Sequence, residues 1–177
     1  MTTKRIHVRL AEESDRDAVT RVLLDAYGQY ETVLNGERWE HYKASIFEAI
    51  DTPNTIARFV AELEGRVVGS VFVYGSSEEA YGNPALQIHN PIIRLLGVSR
   101  EARGRGVATE LIRASVKLAK GAGAESLHLH TSDMMDSAIR LYERLRFERA
   151  YDKEFYVGDI LVKSYRVPLA ETVLLEA

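Results

Sequence analysis

Residues 92–119 read IIRLLGVSREARGRGVATELIRASVKLA, and this segment organises the rest of the chain. It begins with the nearly continuous apolar run of residues 92–98, which predicts a strand buried on both faces of a sheet. Gly97 interrupts the run, and a glycine inside a strand marks a bulge or a close backbone approach. A loop dense in arginine and glycine follows, and apolar residues then recur at helical spacing over residues 108–119.

The loop between the strand and the helix has the composition of an anion site. Gly104 and Gly106 free the backbone to turn its N–H groups toward one point. The helix that follows contributes unsatisfied donors and partial positive charge at its N-terminus. Arg103 and Arg105 can supply charge-assisted hydrogen bonds. Together these groups predict a cradle for a pyrophosphate.

The same loop is compatible with one alternative and incompatible with two known nucleotide-binding motifs. A glycine-rich turn with solvated arginines remains the alternative. A dinucleotide-binding fingerprint is excluded, because Thr109 stands where its third glycine belongs. A P-loop is excluded as well, because no Gly-Lys-Ser/Thr sequence occurs.

Length and composition predict one globular domain over residues 1–177, with a core of about residues 5–169. The chain is 46% hydrophobic and 28% charged, as ordinary globular proteins are. It has no cysteine, which excludes disulfides, thiolate metal ligands and a catalytic thiol. A reducing, cytoplasmic location is therefore expected.

Charge and hydropathy limit the partners. The net charge of −3 gives no reason to expect nucleic acid. The first 15 residues lack the apolar run of a signal peptide, and no segment reaches transmembrane length, so no membrane partner is expected. A locally basic loop on an acidic chain favours a small anionic ligand.

The remaining segments predict a mixed α/β (α+β) fold, in which about seven strands form a central sheet flanked by about four helices. Ser14 is the predicted N-cap of the first helix. Residues 75–87 are predicted to be an exposed loop. The last two strands are predicted to be antiparallel. Strands are expected at residues 6–10, 56–63, 66–74, 92–98, 124–131, 147–156 and 160–169, and helices at residues 18–27, 37–50, 108–119 and 137–146.

Several of these features resemble the GNAT superfamily of N-acetyltransferases. Arg103-x-x-Gly106-x-Ala108 matches the family's R/Q-x-x-G-x-G/A acetyl-CoA motif. The strand ending at Val98, the helix after the loop and the segment AIRLYERLRF at residues 138–147 are similar to the family's pattern as well. With the upstream hairpin included, the resemblance spans almost the whole chain.

The resemblance implies a GNAT-like acyl-CoA N-acyltransferase fold and acetyl-CoA as co-substrate, without a metal. It further implies direct transfer of the acetyl group to a primary amine in a ternary complex. The acceptor would be a small molecule, a peptide N-terminus or a lysine. A non-catalytic acyl-CoA-binding or regulatory domain on the same fold is the alternative. Dimers are common among similar proteins, so a homodimer is left open.

The resemblance also implies the coenzyme site. The family splays two parallel strands, here residues 92–98 and 124–131, and lays pantetheine against the backbone of the first. Tyr142 matches the family's usual general acid, which protonates the departing coenzyme A thiolate; a core tyrosine on the helix seam is the alternative. The coenzyme-binding residues implied are Leu96, Gly97, Val98, Arg103, Gly104, Arg105, Gly106, Val107, Ala108 and Thr109.

The acceptor side is less defined. Ile92 stands where many family members carry a carboxylate, and Glu62 is the nearest substitute as a general base. Arg94 is hypothesised to recognise a substrate carboxylate, with an internal ion pair as the alternative. Tyr30 is the candidate for the wall of the acceptor pocket.

Other positions depart from the family's pattern or invite a different chemistry. Arg100 replaces a proline, a change expected to affect only the loop; Met135 replaces an asparagine that often touches the coenzyme. Arg146 replaces a glycine, which is unfavourable if the backbone there needs positive φ. His128 and His130 share a strand face and could contribute to a metal site. Polar strand histidines are the favoured interpretation, because no carboxylate is evident as a third ligand.

Overall fold

The structure is a computed structural model that describes residues 5–28, 31–32, 34–131 and 136–170. Within these ranges the chain forms a mixed sheet of eight strands with five α-helices. The strands are β1 (His7–Leu10), β2 (Ala57–Leu63), β3 (Arg66–Tyr74), β4 (Ile92–Val98), β5 (Ser126–Thr131), β6 (Glu148–Arg149), β7 (Phe155–Val157) and β8 (Ile160–Pro168). The helices are α1 (Arg16–Tyr27), α2 (Gly36–Asp51), α3 (Ser77–Tyr81), α4 (Val107–Gly121) and α5 (Asp136–Arg144). No helix in the described ranges is long and apolar enough to span a membrane.

The chain divides into two compact units, each made of two separate segments. Unit 1 comprises Met1–Phe72 and Leu95–Ala114, and unit 2 comprises Val73–Arg94 and Ser115–Ala177. Strands β3 and β4 and helix α4 therefore contribute residues to both units.

Unit 1 contains the strand order β1-β2-β3-β4. Strand β1 is antiparallel to β2, from His7 opposite Glu62 to Leu10 opposite Phe59. Glu64 and Gly65 join β2 to β3 with φ angles of 53° and 77°, so the predicted hairpin is confirmed and has a two-residue turn. Helix α1 buries one apolar face, as its spacing predicts. The buried residues of that face are Val19, Val22, Leu23 and Ala26.

Unit 2 contains the order β4-β5-β8-β6, with β7 also paired to β8. Strands β4 and β5 are parallel, with Ile92 opposite His128 and Ile93 opposite Leu129. The antiparallel pairing of β5 with β8 is longer and runs from Ser126 opposite Pro168 to Thr131 opposite Lys163. Strands β6 and β7 are each antiparallel to β8, so the predicted antiparallel pairing of the last strands is confirmed, as is the parallel pairing of β4 with β5.

The predicted cap of the first helix is wrong. Ser14 lies inside a 3-10 turn, Glu13–Asp15, and Asp15 occupies the N-cap position of α1. The Asp15 carboxylate accepts a hydrogen bond from the Glu12 N–H at 2.7 Å. It is also bound by Arg9, so an ion pair between β1 and the turn replaces the expected hydroxyl cap.

The predicted exposed loop at residues 75–87 is also wrong, because it contains a helix. The Ser76 hydroxyl accepts from the Glu79 N–H at 3.3 Å, which caps α3 at its start. Gly82, with a φ of 62°, ends it in the left-handed conformation. A short 3-10 turn, Pro84–Leu86, follows.

Residues 147–156 do not form one strand, which accounts for the eighth strand of the sheet. A 3-10 turn, Tyr151–Lys153, separates β6 from β7. The Glu154 carboxylate accepts the Ser164 N–H at 3.0 Å and also pairs with Arg149. A side chain therefore takes a hydrogen bond that a continuous strand would have given to backbone, and the ladder breaks there.

Candidate active site

The loop between β4 and α4 has the backbone that an anion cradle requires. Gly104 and Gly106 have φ angles of 78° and 83°, in the left-handed region that favours glycine. The space beside both is open, since an added Cβ would have no neighbour within 4 Å. The first hydrogen bond of α4 runs from the Glu110 N–H to the Gly106 carbonyl at 3.1 Å. The N–H groups of residues 107–109 precede that bond and are the donors of a helix N-terminus.

Two arginines fix the loop to the C-terminal end of α1. Arg103 donates to the Ala26 carbonyl at 3.1 Å, and Arg100 donates to the Asp25 carbonyl at 3.2 Å. Both guanidinium groups lie where the helix dipole favours cations. The Arg100 N–H also donates to the Asp25 carboxylate at 2.8 Å, a bond that proline in this position could not make.

The start of α4 packs closely against β3 at a glycine of that strand. A Cβ on Gly69 would lie 2.8 Å from Val107 Cγ1 and 3.0 Å from Leu111 Cδ1. Ser99, the first residue after β4, donates its N–H to the Val68 carbonyl at 2.8 Å. The loop is therefore anchored at its first residue, and its exit into the helix is set by close packing on β3.

The end of β4 packs closely against α1. A Cβ on Gly97 would lie 3.0 Å from Leu23 Cδ2 and 3.2 Å from Ala26 Cβ, so this glycine marks a close approach. The positive φ in the strand belongs to Leu95, at 53°. The Leu96 carbonyl accepts a hydrogen bond from the Tyr27 hydroxyl at 3.2 Å. Of the two alternatives for Gly97, the close approach is the one observed.

All of the predicted coenzyme residues therefore fall in unit 1. The loop from Arg103 to Gly106 is solvent-exposed, whereas Leu96 and Val98 are half-buried. Exposed donors on a short arginine-containing loop fit the phosphates of a coenzyme. Their role in binding stays a prediction.

The predicted general acid lies in unit 2. Tyr142 is 7% exposed, and its ring lies 5.9 Å from that of Phe147 and 6.3 Å from that of Tyr165. The Tyr142 carbonyl accepts the Phe147 N–H at 2.9 Å, where the chain leaves α5. This seam position was expected from the helical spacing, and the catalytic role stays a prediction.

Glu62, the candidate base, belongs to an ion-pair network in unit 1. Arg9 donates to the Glu62 carboxylate at 2.6 Å and to both oxygens of Asp15 at 2.7 and 2.9 Å. The hydrogen bond from Arg9 lowers the pKa of Asp15 to about 2. Glu62 is thus held by a cation, and its role as a base stays a prediction.

Arg94 lies in unit 2 among aromatic rings. Its Nη1 donates to the Ala80 carbonyl at 2.6 Å, and its guanidinium carbon lies 5.0 Å from the Tyr81 ring centre and 5.6 Å from that of Tyr74. No carboxylate in the described part of the chain forms an ion pair with it, so the internal ion pair considered as an alternative is not observed there.

The two strand histidines have separate partners. His130 Nδ1 lies 3.0 Å from the Tyr81 hydroxyl, and His130 Nε2 lies 3.2 Å from the Lys153 carbonyl. His128 Nε2 lies 2.9 Å from the Ser126 hydroxyl. Burial lowers the pKa of each histidine to about 4. Across the described ranges, no group of three or more histidines and carboxylates could hold a metal ion.

The other predictions have mixed outcomes. Arg146 has a φ of 68°, which confirms that the position needs a left-handed backbone. Tyr30 and Met135 lie outside the described residues. Sequence reasoning missed Tyr81, which contacts both Arg94 and His130. The Ser-x-x-Glu pattern before α3 and the glycine after it could have predicted this helix, of which Tyr81 is the last residue.

Comparison with known proteins agrees with this architecture. Residues 17–147 match the sequence model of the Acetyltransferase (GNAT) family. A crystal structure of a GNAT-family acetyltransferase from Streptococcus agalactiae 2603 is similar, with a TM-score of 0.71 at 14% identity. The likeness covers 92% of this chain and 95% of that one, and at this identity it supports the predicted fold alone.

Two curated relatives are similar over part of their length. N-acetyltransferase 8B from Homo sapiens is 32% identical over 109 residues, which are 62% of this chain and 46% of that protein. N-alpha-acetyltransferase 30 from Schizosaccharomyces pombe is 32% identical over 96 residues, which are 52% of this chain and 60% of that protein. The chain thus spans about half the length of the curated relatives it matches.

Proposed function

The chain belongs to the acetyltransferase (GNAT) family, and from this membership we propose that it transfers the acetyl group of acetyl-CoA to a primary amine. Transfer is direct, in a ternary complex of protein, acetyl-CoA and acceptor. The chain has no cysteine to form an acyl-thiol intermediate, which accords with a direct route. Acetyl-CoA supplies the activated acetyl thioester.

The observation that carries the proposal is the loop from Arg103 to Thr109. Two left-handed glycines and the first turn of α4 supply backbone N–H groups, and two arginines supply charge. These groups bind the pyrophosphate of the coenzyme. Leu96 and Val98 offer half-buried backbone to its pantetheine arm.

The chemistry needs one proton delivered to the thiolate and two removed from the protonated amine. The amine nitrogen attacks the thioester carbonyl carbon, a C–N bond forms, and the C–S bond breaks. Tyr142 gives its phenolic proton to the departing thiolate, a transfer suited to a phenol, since the reference pKa of tyrosine is about 10. The amine, protonated at neutral pH, first loses one proton to water or to Glu62, the candidate base. After the attack its nitrogen loses a second proton, which restores the Tyr142 phenol.

The test is an assay of thiol release from acetyl-CoA against a panel of amines. We expect acetyl-CoA to raise the melting temperature and at least one amine to be acetylated. Tyr142→Phe should lower kcat by roughly 10²- to 10⁴-fold with acetyl-CoA affinity retained, because general acid catalysis is worth that much. Tyr151→Phe is the matched control, since Tyr151 is 72% exposed, and it should behave as the wild type.

Two results would count against the proposal. A rise in melting temperature with no turnover for any amine would favour a non-catalytic acyl-CoA-binding domain, for which the buried Ile92 in the family's carboxylate position is an argument. No rise at all would contradict both functions.

A further inference from the structure

A cation lies in an aromatic enclosure on one side of β4 in unit 2. The Arg94 guanidinium stacks near the rings of Tyr74 and Tyr81, and Tyr81 in turn contacts His130 and Phe155. The ring centres of these last two lie 5.0 and 5.5 Å from that of Tyr81. We call these five residues the Arg94 cage.

The charge of Arg94 is not balanced within the described part of unit 2. Its one hydrogen bond there goes to the Ala80 carbonyl, whereas a guanidinium has five N–H donors. Glu154, a half-buried carboxylate of the same unit, is engaged by Arg149 and by the Ser164 N–H. Arg94 is half-buried, and a partly desolvated cation is stabilised when an anion completes its shell.

The cage is preorganised by hydrogen bonds that fix Tyr81. A carbonyl oxygen can only accept, so the contact of His130 Nε2 with the Lys153 carbonyl puts the imidazole proton on Nε2. Nδ1 of the neutral ring is then an acceptor, and the Tyr81 hydroxyl donates to it. Burial keeps His130 neutral by lowering its pKa to about 4, so the ring adds no second positive charge.

Arg94 is close in sequence to the residues assigned to the coenzyme. Ile92 and Ile93 are opposite His128 and Leu129 on parallel strands, and Arg94 of the first strand and His130 of the second both contact Tyr81. Arg94 is two residues before Leu96, the first of the backbone positions assigned to the pantetheine arm.

We propose that the Arg94 cage binds a carboxylate of the acceptor, so that the substrate is an amine that carries a carboxylate. The inference rests on the proposed acetyl transfer. A guanidinium whose aromatic and carbonyl contacts leave donors unused is suited to a planar carboxylate, which it can bind through two parallel hydrogen bonds.

The test compares acceptors with and without the carboxylate, at equal concentrations of the unprotonated amine. Rates of acetyl transfer are measured for L-amino acids, each beside its primary amide, and for β-alanine and 4-aminobutyrate. We expect kcat/KM to be about 10- to 100-fold higher for the acid than for the amide, as for a charge-assisted hydrogen bond. The last two acceptors distinguish a carboxylate adjacent to the amine from a more distant one.

Variants assign the preference to Arg94. Arg94→Gln should make acid and amide equal, while Arg94→Lys should keep part of the preference, since it retains charge without the planar fork. Arg166→Gln is the matched control, because Arg166 pairs with the exposed Asp152 at 3.2 Å and its loss removes the same charge from unit 2. An unchanged preference in Arg94→Gln, or an equal loss in Arg166→Gln, would overturn the proposal.

Product binding supplies a readout that does not need turnover. N-acetyl amino acids and their amides are titrated by calorimetry into protein saturated with coenzyme A. Tighter binding of the acid, lost in Arg94→Gln, supports the carboxylate site even if no amine turns over and the proposed transfer fails. Equal binding of acid and amide overturns it. If Arg94→Gln does not fold, Tyr81→Phe and Arg94→Lys serve instead, and both should weaken the preference several-fold.

Discussion

Arg146 holds a backbone conformation that suits glycine better than any side chain. It follows α5 with a φ of 68°, and its N–H donates to the Glu143 carbonyl at 3.0 Å. The residue is exposed, so no packing requires an arginine there. The strain is local and should be separable from the active site.

Replacing this arginine by glycine should stabilise the protein. Arg146→Gly should raise the free energy of unfolding by roughly 0.5–1 kcal/mol, because relief of the left-handed strain exceeds the added freedom of the unfolded chain. Urea denaturation measures the change. Arg140→Gly, inside α5, is the control and should lower the same quantity by about 1 kcal/mol. A loss of stability in both variants would contradict the explanation.

Single residues also show how far the sequence could predict the candidate site. The left-handed requirement at residue 146 followed from the family's glycine, and the two loop glycines followed from composition. The contact of Tyr81 with Arg94 could not be read in this way, because the residues are 13 positions apart in sequence. Their meeting depends on where α3 folds relative to β4, which only the tertiary structure gives.

At the scale of elements, the packing of helix α4 on β3 requires a glycine, Gly69, at the point of contact. Gly69→Ala should lower the free energy of unfolding by about 1–3 kcal/mol, because the new Cβ would overlap Val107 and Leu111. It should also weaken acetyl-CoA binding, since the first turn of α4 supplies donors to the loop. Urea denaturation and titration with acetyl-CoA measure the two effects.

Gly121→Ala is the matched control for that change. Gly121 ends α4, and an added Cβ there has no neighbour within 4 Å. We expect it to raise the free energy of unfolding by up to about 1 kcal/mol and to leave acetyl-CoA affinity unchanged. Equal affinity for acetyl-CoA in Gly69→Ala and wild type would show that the packing of α4 on Gly69 does not support coenzyme binding.

The elements that the sequence predicted well are those with strong periodicity. Helices α1, α2 and α4 have apolar residues at helical spacing and were found within a few residues of their bounds. Helix α3 has little apolar surface, so its caps are its main signal. The break between β6 and β7 comes from the Glu154 side chain, whose long-range bond to Ser164 no local pattern reveals.

At the scale of the whole molecule, we expect the protein to lose stability in mild acid because of His128 and His130. Both pKa values are lowered to about 4, so between pH 6.5 and 4 the unfolded chain binds more protons than the folded one. The free energy of unfolding should therefore fall as the pH falls through this range, by up to roughly 3 kcal/mol for each histidine. Urea denaturation at a series of pH values measures the slope.

His128→Gln isolates one of the two contributions. Glutamine does not titrate and can still bond to Ser126, so the slope between pH 6.5 and 4 should fall to about half. Above pH 7 both histidines are neutral in the folded and unfolded chains, so the variant and the wild type should have the same slope there. A wild-type slope in the variant between pH 6.5 and 4 would show that other groups cause the acid sensitivity.

The interleaving of the two units has a consequence for synthesis on the ribosome. Both segments of unit 1 are outside the ribosome once residue 114 has emerged from the exit tunnel. The residues of β5, α5 and β8, which belong to unit 2, have not yet emerged at that stage. The emerging chain can thus pair β1 to β3 and form the loop between β4 and α4 first, whereas segment 73–94, which carries Arg94, packs against elements that are translated later.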